Sequence, residues 1–120
     1  MKRVIIDANT ILGHLVRNEV TLEFGLREYD ELIIPTVVVF EVVYVLEKQY
    51  ELERLEIFEA LLKILQNRKV QSERVLLLNS LIKYRDLHSL SLVDSYLVEL
   101  SGELDCGVLT EDRKMRKKVK

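Results

Sequence analysis

Cysteine, proline and histidine are scarce in this chain of 120 residues, and each scarcity closes off a class of function. Cys106 is the only cysteine, so an internal disulfide and any multi-cysteine zinc site are excluded. Next to Gly107 and beside an expected strand, it reads as a small buried hydrophobe rather than a nucleophile. His14 and His88 are far apart in sequence and form no metal-binding pair. Pro35 is the only proline, and the chain has no Ser/Gly-rich linker, low-complexity tract or convincing repeat. One domain spanning 1–120 is therefore expected. No apolar run approaches the roughly 20 residues of a membrane span. The stretch from Met1 to Asp7 has too short an apolar run for a signal peptide. The expectation is a cytoplasmic protein with no membrane partner.

What is present is ample material for a core. Hydrophobic residues make up 48% and charged ones 32%, the balance of a globular domain long enough to bury one. The net charge of −2 hides an asymmetry: the last eight residues, Arg113 to Lys120, hold six cations and no acid, which leaves −8 on the rest. Such a tail fits a polyanionic partner, or equally a solvated helix end where cations favour the dipole.

Short β-branched runs alternate with helical ones. Residues 3–6 and Leu32-Ile33-Ile34 read as buried strands, Val70 as a minimal strand, and Val108-Leu109 as a last short one. Helices are expected over 10–17 and 20–29, with Asn18 as the break between them. Pro35 suits the first turn of a third helix, over 36–50. The segment 53–67 places Leu55, Phe58, Leu61, Leu62 and Leu65 at helical spacing. Ser72 is placed to cap a helix running to about 87, and another over 91–101 is stopped by Gly102. A short basic helix closes the chain. This alternation indicates an α/β layered domain around a parallel sheet, where sites gather at the carboxyl ends of strands.

Four acids stand where acids are unwelcome. Asp7 ends Val4-Ile5-Ile6, Glu41 interrupts an apolar run from Val37 to Leu46, Asp94 lies among Leu90, Leu92, Val93 and Leu97, and Asp112 follows Val108-Leu109-Thr110-Glu111. On helices, Glu41 shares a face with Val37, Val38 and Val45, and Asp94 with Leu90, Leu97 and Val98, so both are expected on a buried stripe. Glu47, Glu51, Glu53, Glu56 and Glu59 read as solvated surface instead. A carboxylate in apolar surroundings costs several kcal/mol unless a cation or hydrogen-bond donors compensate it. No basic residue lies within these runs, which points to a metal ion. Oxygen-only ligands favour Mg²⁺ or Mn²⁺, the ions of phosphodiester chemistry. Taken singly, each acid has a plain structural role open to it. Asp7 could cap the following helix, Asp112 could cap the basic one, and Glu41 could accept backbone or arginine hydrogen bonds.

The ordered set resembles the PIN domain, the nuclease fold of the VapC toxins. Val4-Ile5-Ile6-Asp7-Ala8-Asn9-Thr10 resembles its first motif and Pro35-Thr36-Val37-Val38-Val39-Phe40-Glu41 its second. Ser91-Leu92-Val93-Asp94-Ser95-Tyr96-Leu97 and Val108-Leu109-Thr110-Glu111-Asp112-Arg113-Lys114-Met115 resemble the third and fourth. The resemblance implies a three-layer α/β/α sandwich with a short-stranded parallel sheet. It implies Asp7, Glu41, Asp94 and Asp112 as a catalytic cluster holding Mg²⁺ or Mn²⁺, with Asn9 and Thr110 as supporting polar groups. It implies hydrolysis of RNA to 5′-phosphate and 3′-hydroxyl ends, RNA backbone contacts from Arg113, Lys114, Arg116 and Lys117, a homodimer, and a partner antitoxin as in VapBC pairs. Met115 stands where the family usually has an aromatic residue. Members commonly add a final strand after this point, so an edge strand is expected to be missing or supplied by another subunit.

Other readings fit less well. A phosphatase of the haloacid dehalogenase type needs a second acid where Asn9 stands, and a phosphorelay receiver needs an early acid pair and a late lysine. The alternative that remains is a PIN-like RNA-binding or RNA-processing module with little or no toxin role.

Overall fold

The computed structural model describes residues 1–116, and its contacts divide the chain into two compact units, Met1–Arg74 and Val75–Lys120. Lys117, one of the expected RNA contacts, lies outside the described residues.

The first unit holds the sheet. Strands β1 (Arg3–Ile5), β2 (Glu31–Ile33) and β3 (Val70–Gln71) run parallel in the order β1-β2-β3. Arg3, Val4 and Ile5 pair with Glu31, Leu32 and Ile33, and Leu32 and Ile33 pair in turn with Val70 and Gln71. With a period of two, Leu32 and Val70 are buried on one face, while Arg3, Ile5, Glu31, Ile33 and Gln71 share the other. Between the strands run α1 (Ala8–Val16), α2 (Thr21–Glu28), α3 (Thr36–Lys48) and α4 (Arg54–Leu65). Helix α1 packs on both α2 and α3, and α4 lies against α3 and β3. The core of this unit includes Ile11, Leu22, Leu32, Ile34, Val39, Val42, Leu46, Ile57, Leu61 and Leu65.

Local signals fix the joints. Asn18 and Glu51, both with φ near +52°, sit in the left-handed region where the chain turns between helices. Pro35 occupies the N-cap of α3, and Glu53 with Glu56 closes a capping box on α4. Helix α4 buries Ile57, Phe58, Leu61, Ile64 and Leu65, so Leu55, read as part of its apolar stripe, lies on the rim and is half exposed.

The second unit is helical among the described residues, with α5 (Arg74–Asp86, whose first residue closes the first unit), α6 (Leu92–Leu104) and α7 (Arg113–Arg116). Leu77, Leu81, Tyr84, Leu90, Leu92 and Met115 are buried. So are the serines Ser80, Ser95 and Ser101, whose hydroxyls donate to the carbonyls of Leu76, Ser91 and Cys106. Lys83 and Glu99 pair at 3.6 Å.

Four expectations are corrected here. Val108-Leu109 forms no strand among the described residues, and Leu109 is fully exposed. Helix α6 runs through Gly102 and ends at Asp105 in the left-handed conformation. Ser72 caps nothing, since its hydroxyl has no hydrogen-bond partner among the described residues. Cys106 is exposed rather than buried.

Candidate functional site

The first acid stands where β1 becomes α1. The Ile6 N–H donates to Ile33, which carries the sheet ladder one residue beyond the strand, and Asp7 then takes the N-cap. Its Oδ1 accepts from the Thr10 N–H at 2.9 Å. That bond, with the Thr10 hydroxyl, holds the Asp7 carboxyl below its ordinary value of 3.8. Its compensation is thus local and polar, and the side chain is exposed. Asn9 lies in the first turn, its side-chain oxygen accepting from Arg17 Nη2 at 2.8 Å; the same nitrogen also donates to the Asn9 carbonyl. Arg17 in turn meets Glu19 at 3.3 Å. Glu19 first, then the Tyr50 hydroxyl, raises the guanidinium pKa above its usual value. Sequence reading missed Arg17. Its place eight residues after Asn9, at the C-cap of α1, was the available signal.

Glu41 corrects the expectation of a buried stripe. Helix α3 buries Val39, Val42, Val43 and Leu46, and leaves Val37, Glu41, Tyr44 and Lys48 exposed. The run from Val37 to Leu46 is apolar or aromatic at every position except Glu41, so periodicity could not say which stripe faces the core. The packing of α1 on α3 decides it.

In the second unit Asp94 occupies the first turn of α6, where its N–H donates to the hydroxyl of Ser91, the N-cap. It is half-buried. Asp112 caps α7: its Oδ1 accepts from the Lys114 N–H at 2.8 Å and from Met115 at 3.4 Å. Its Oδ2 has no hydrogen bond among the described residues. Thr110 supports it directly, its Oγ1 accepting from the Asp112 N–H at 3.0 Å. Arg113, Lys114 and Arg116 are exposed, and Arg116 Nε donates to the Thr110 carbonyl at 2.7 Å.

The structure therefore joins Asp7 to Thr10, Asn9 to Arg17, and Asp112 to Thr110 and Lys114 by hydrogen bonds. Among the described residues, no three His, Cys, Asp or Glu side chains form a ready ligand group for a metal ion. The donor chemistry nonetheless fits a hard cation. All four acids supply oxygen alone, three are exposed and the fourth is half-buried.

An α/β fold with a short parallel sheet, and an acid, Asp7, just past the end of its first strand, fits the rule that sites of such folds gather at strand ends. Residues 4–120 match the sequence model of the PIN domain. The chain belongs to the PIN domain family, a nuclease fold whose α/β/α class agrees with the parallel sheet observed here. No curated protein matches the chain significantly in sequence.

Proposed function

We propose that this chain is a metal-dependent endoribonuclease, the toxin of a VapBC-type pair, working as one PIN-like domain. The observation that supports this most is the family match over residues 4–120, with Asp7, Glu41, Asp94 and Asp112 in the order of the family's acidic motifs. Asp7, Glu41, Asp94 and Asp112 would hold Mg²⁺ or Mn²⁺, which when bound lowers the pKa of a water and neutralises charge on the phosphoryl oxygens. The chain's own residues do the rest. Ser91 and Thr110 fix the backbone beside Asp94 and Asp112, and the Thr10 N–H keeps Asp7 ionised at neutral pH. Asn9 is held by Arg17 through both its side-chain oxygen and its carbonyl. Arg113, Lys114, Arg116 and Lys117 meet the RNA backbone. Water adds to phosphorus, the bond to O3′ breaks, and the water's proton passes to the departing O3′, leaving 5′-phosphate and 3′-hydroxyl ends. Without the cation, four carboxylates would repel the phosphate chain. We place the protein in the cytoplasm, as a homodimer held silent by an antitoxin.

Among the described residues no helix is long and apolar enough to cross a membrane. The test is cleavage of a mixture of structured RNAs with Mg²⁺ or Mn²⁺ and with EDTA, wild type against Asp94→Asn, with folding followed by circular dichroism. Cleavage that needs metal and vanishes in the folded variant upholds the reading. A folded wild type that binds RNA without cutting it would replace the enzyme with an RNA-binding module.

A further inference from the structure

The exposed stripe of α3 carries more than its acid. Val37, Glu41, Tyr44 and Lys48 follow one another at helical spacing on the solvent side. Val37 is 68% exposed and Tyr44 63%, large apolar surfaces on either side of the acid. Lys48 is exposed and has no ion pair or hydrogen bond among the described residues. Val37 borders a cleft of about 430 Å³, lined by Ile33, Ile34 and Pro35 at the carboxyl end of β2 and by one cation and one acid, Arg3 and Glu73. Such a volume lies within the range of small-ligand sites, roughly 300–1,000 Å³.

Resting on the nuclease reading, we propose that this stripe is the track of an unpaired RNA strand, with Tyr44 as a base-stacking residue. An exposed phenol ring presents a flat face to an unstacked base, and single-stranded RNA is held by such stacking. The cleft beyond Val37 receives a base on the other side of Glu41. Lys48, one turn past the ring, meets a backbone phosphate. From Glu41 to Lys48 the helix rises about 10 Å, the reach of about three stacked nucleotides at ~3.4 Å each. The apolar, aromatic and cationic groups in sequence match the bases and phosphates of a single strand. Duplex RNA buries its base faces and offers nothing to Tyr44, so contact with this ring is made by unpaired bases alone.

The test uses the full chain carrying Asp94→Asn to stop cleavage, a single-stranded oligonucleotide containing 2-aminopurine, and a duplex of the same sequence. The single strand should bind with quenched fluorescence, and the duplex more weakly. Tyr44→Ala should weaken single-strand binding roughly 5- to 100-fold. Tyr44→Phe should restore it and Tyr44→Leu should not, which separates stacking from apolar bulk. Phe24→Ala, an exposed aromatic on α2, should leave it unchanged. Lys48→Ala should flatten the salt dependence by about 0.7 in log–log slope. Equal binding by Tyr44→Ala, recovery in Tyr44→Leu, or a duplex bound as tightly as the single strand would overturn the proposal. So would binding lost only because Tyr44→Ala dissociates a dimer in sedimentation, which would make the stripe a protein interface. Ring-dependent binding by a chain that never cuts RNA would sink the nuclease reading alone. Metal-dependent cleavage indifferent to Tyr44→Ala would sink this one alone.

Discussion

Asp7 and Asp112 stand at the same point of similar motifs, each after a short apolar run and before a helix, and their surroundings differ. Both caps form. Asp7 accepts from Thr10, and Asp112 from Lys114 and Met115. The runs before them part company. Val4 and Ile5 pair with Leu32 and Ile33, whereas Val108 and Leu109 join no strand pair among the described residues and Leu109 is fully exposed. The helices differ too, nine residues after Asp7 and four after Asp112. A cap is satisfied within one turn by its own neighbours, so short sequence suffices to form it. A strand exists only through another strand's N–H and C=O groups, and no local pattern can supply those.

The sharpest way to break this contrast is in the two runs themselves. Leu32→Ala, at a fully buried position of the central strand, should cost about 2–5 kcal/mol in urea denaturation. Leu109→Ala should fall within about ±0.5 kcal/mol. A large loss at Leu109 would show that this run is packed in solution as β1 is.

Asp7→Asn keeps an N-cap acceptor and removes the charge, so the fold should stand while metal-dependent RNA cleavage falls about 100-fold or more. Asp112→Asn should behave alike. Activity surviving in either folded variant would assign that acid to capping only.

Asp7→Ala removes the cap as well and should cost a further ~1 kcal/mol of stability. The sign of its pH dependence follows from the lowered carboxyl pKa. The stabilisation is fully present above the unfolded value near 3.8 and is lost as pH falls through the still lower folded value. The difference between wild type and Asp7→Ala should therefore be constant from neutral pH to about pH 5 and shrink in stronger acid. Thermal melts across that range would reveal it, and a gap that grows in acid would contradict the assignment.

A smaller gain is expected at Glu51, whose left-handed backbone is costly for a residue with a Cβ. Glu51→Gly should stabilise by roughly 0.5–1 kcal/mol after the added freedom of the unfolded chain is counted. No change in melting temperature would mean that the turn relaxes on its own.

Much of the fold was legible because its signals are local. The helix over 36–50 was recognisable by its length and the helical character of Leu46-Glu47-Lys48-Gln49, Asn18 marked the joint between α1 and α2, and Pro35 marked the start of α3. Reading Gly102 as the end of α6 failed because Asp105, three residues on, takes the left-handed cap and binds back through its N–H to Ser101 and Gly102. Of the candidate site, the four acids and their order stood out in the sequence, and the family match runs through all of them. Their burial did not. Each was singled out as an acid in apolar company, yet Asp7, Glu41 and Asp112 all face solvent. Apolar neighbours along the chain are not apolar neighbours in space.

The sequence by itself determined the caps at Asp7, Ser91 and Asp112 and the identity of the oxygen donors, since each depends on residues a turn or less apart. Tertiary structure alone decided which stripe of α3 meets the core, and so placed Glu41, Tyr44 and Lys48 on one solvent-facing line. It also decided that Arg3–Ile5 becomes a strand while Val108-Leu109 does not. Both outcomes depend on partners distant in sequence, whose contribution to burial and hydrogen bonding has no trace in the run itself.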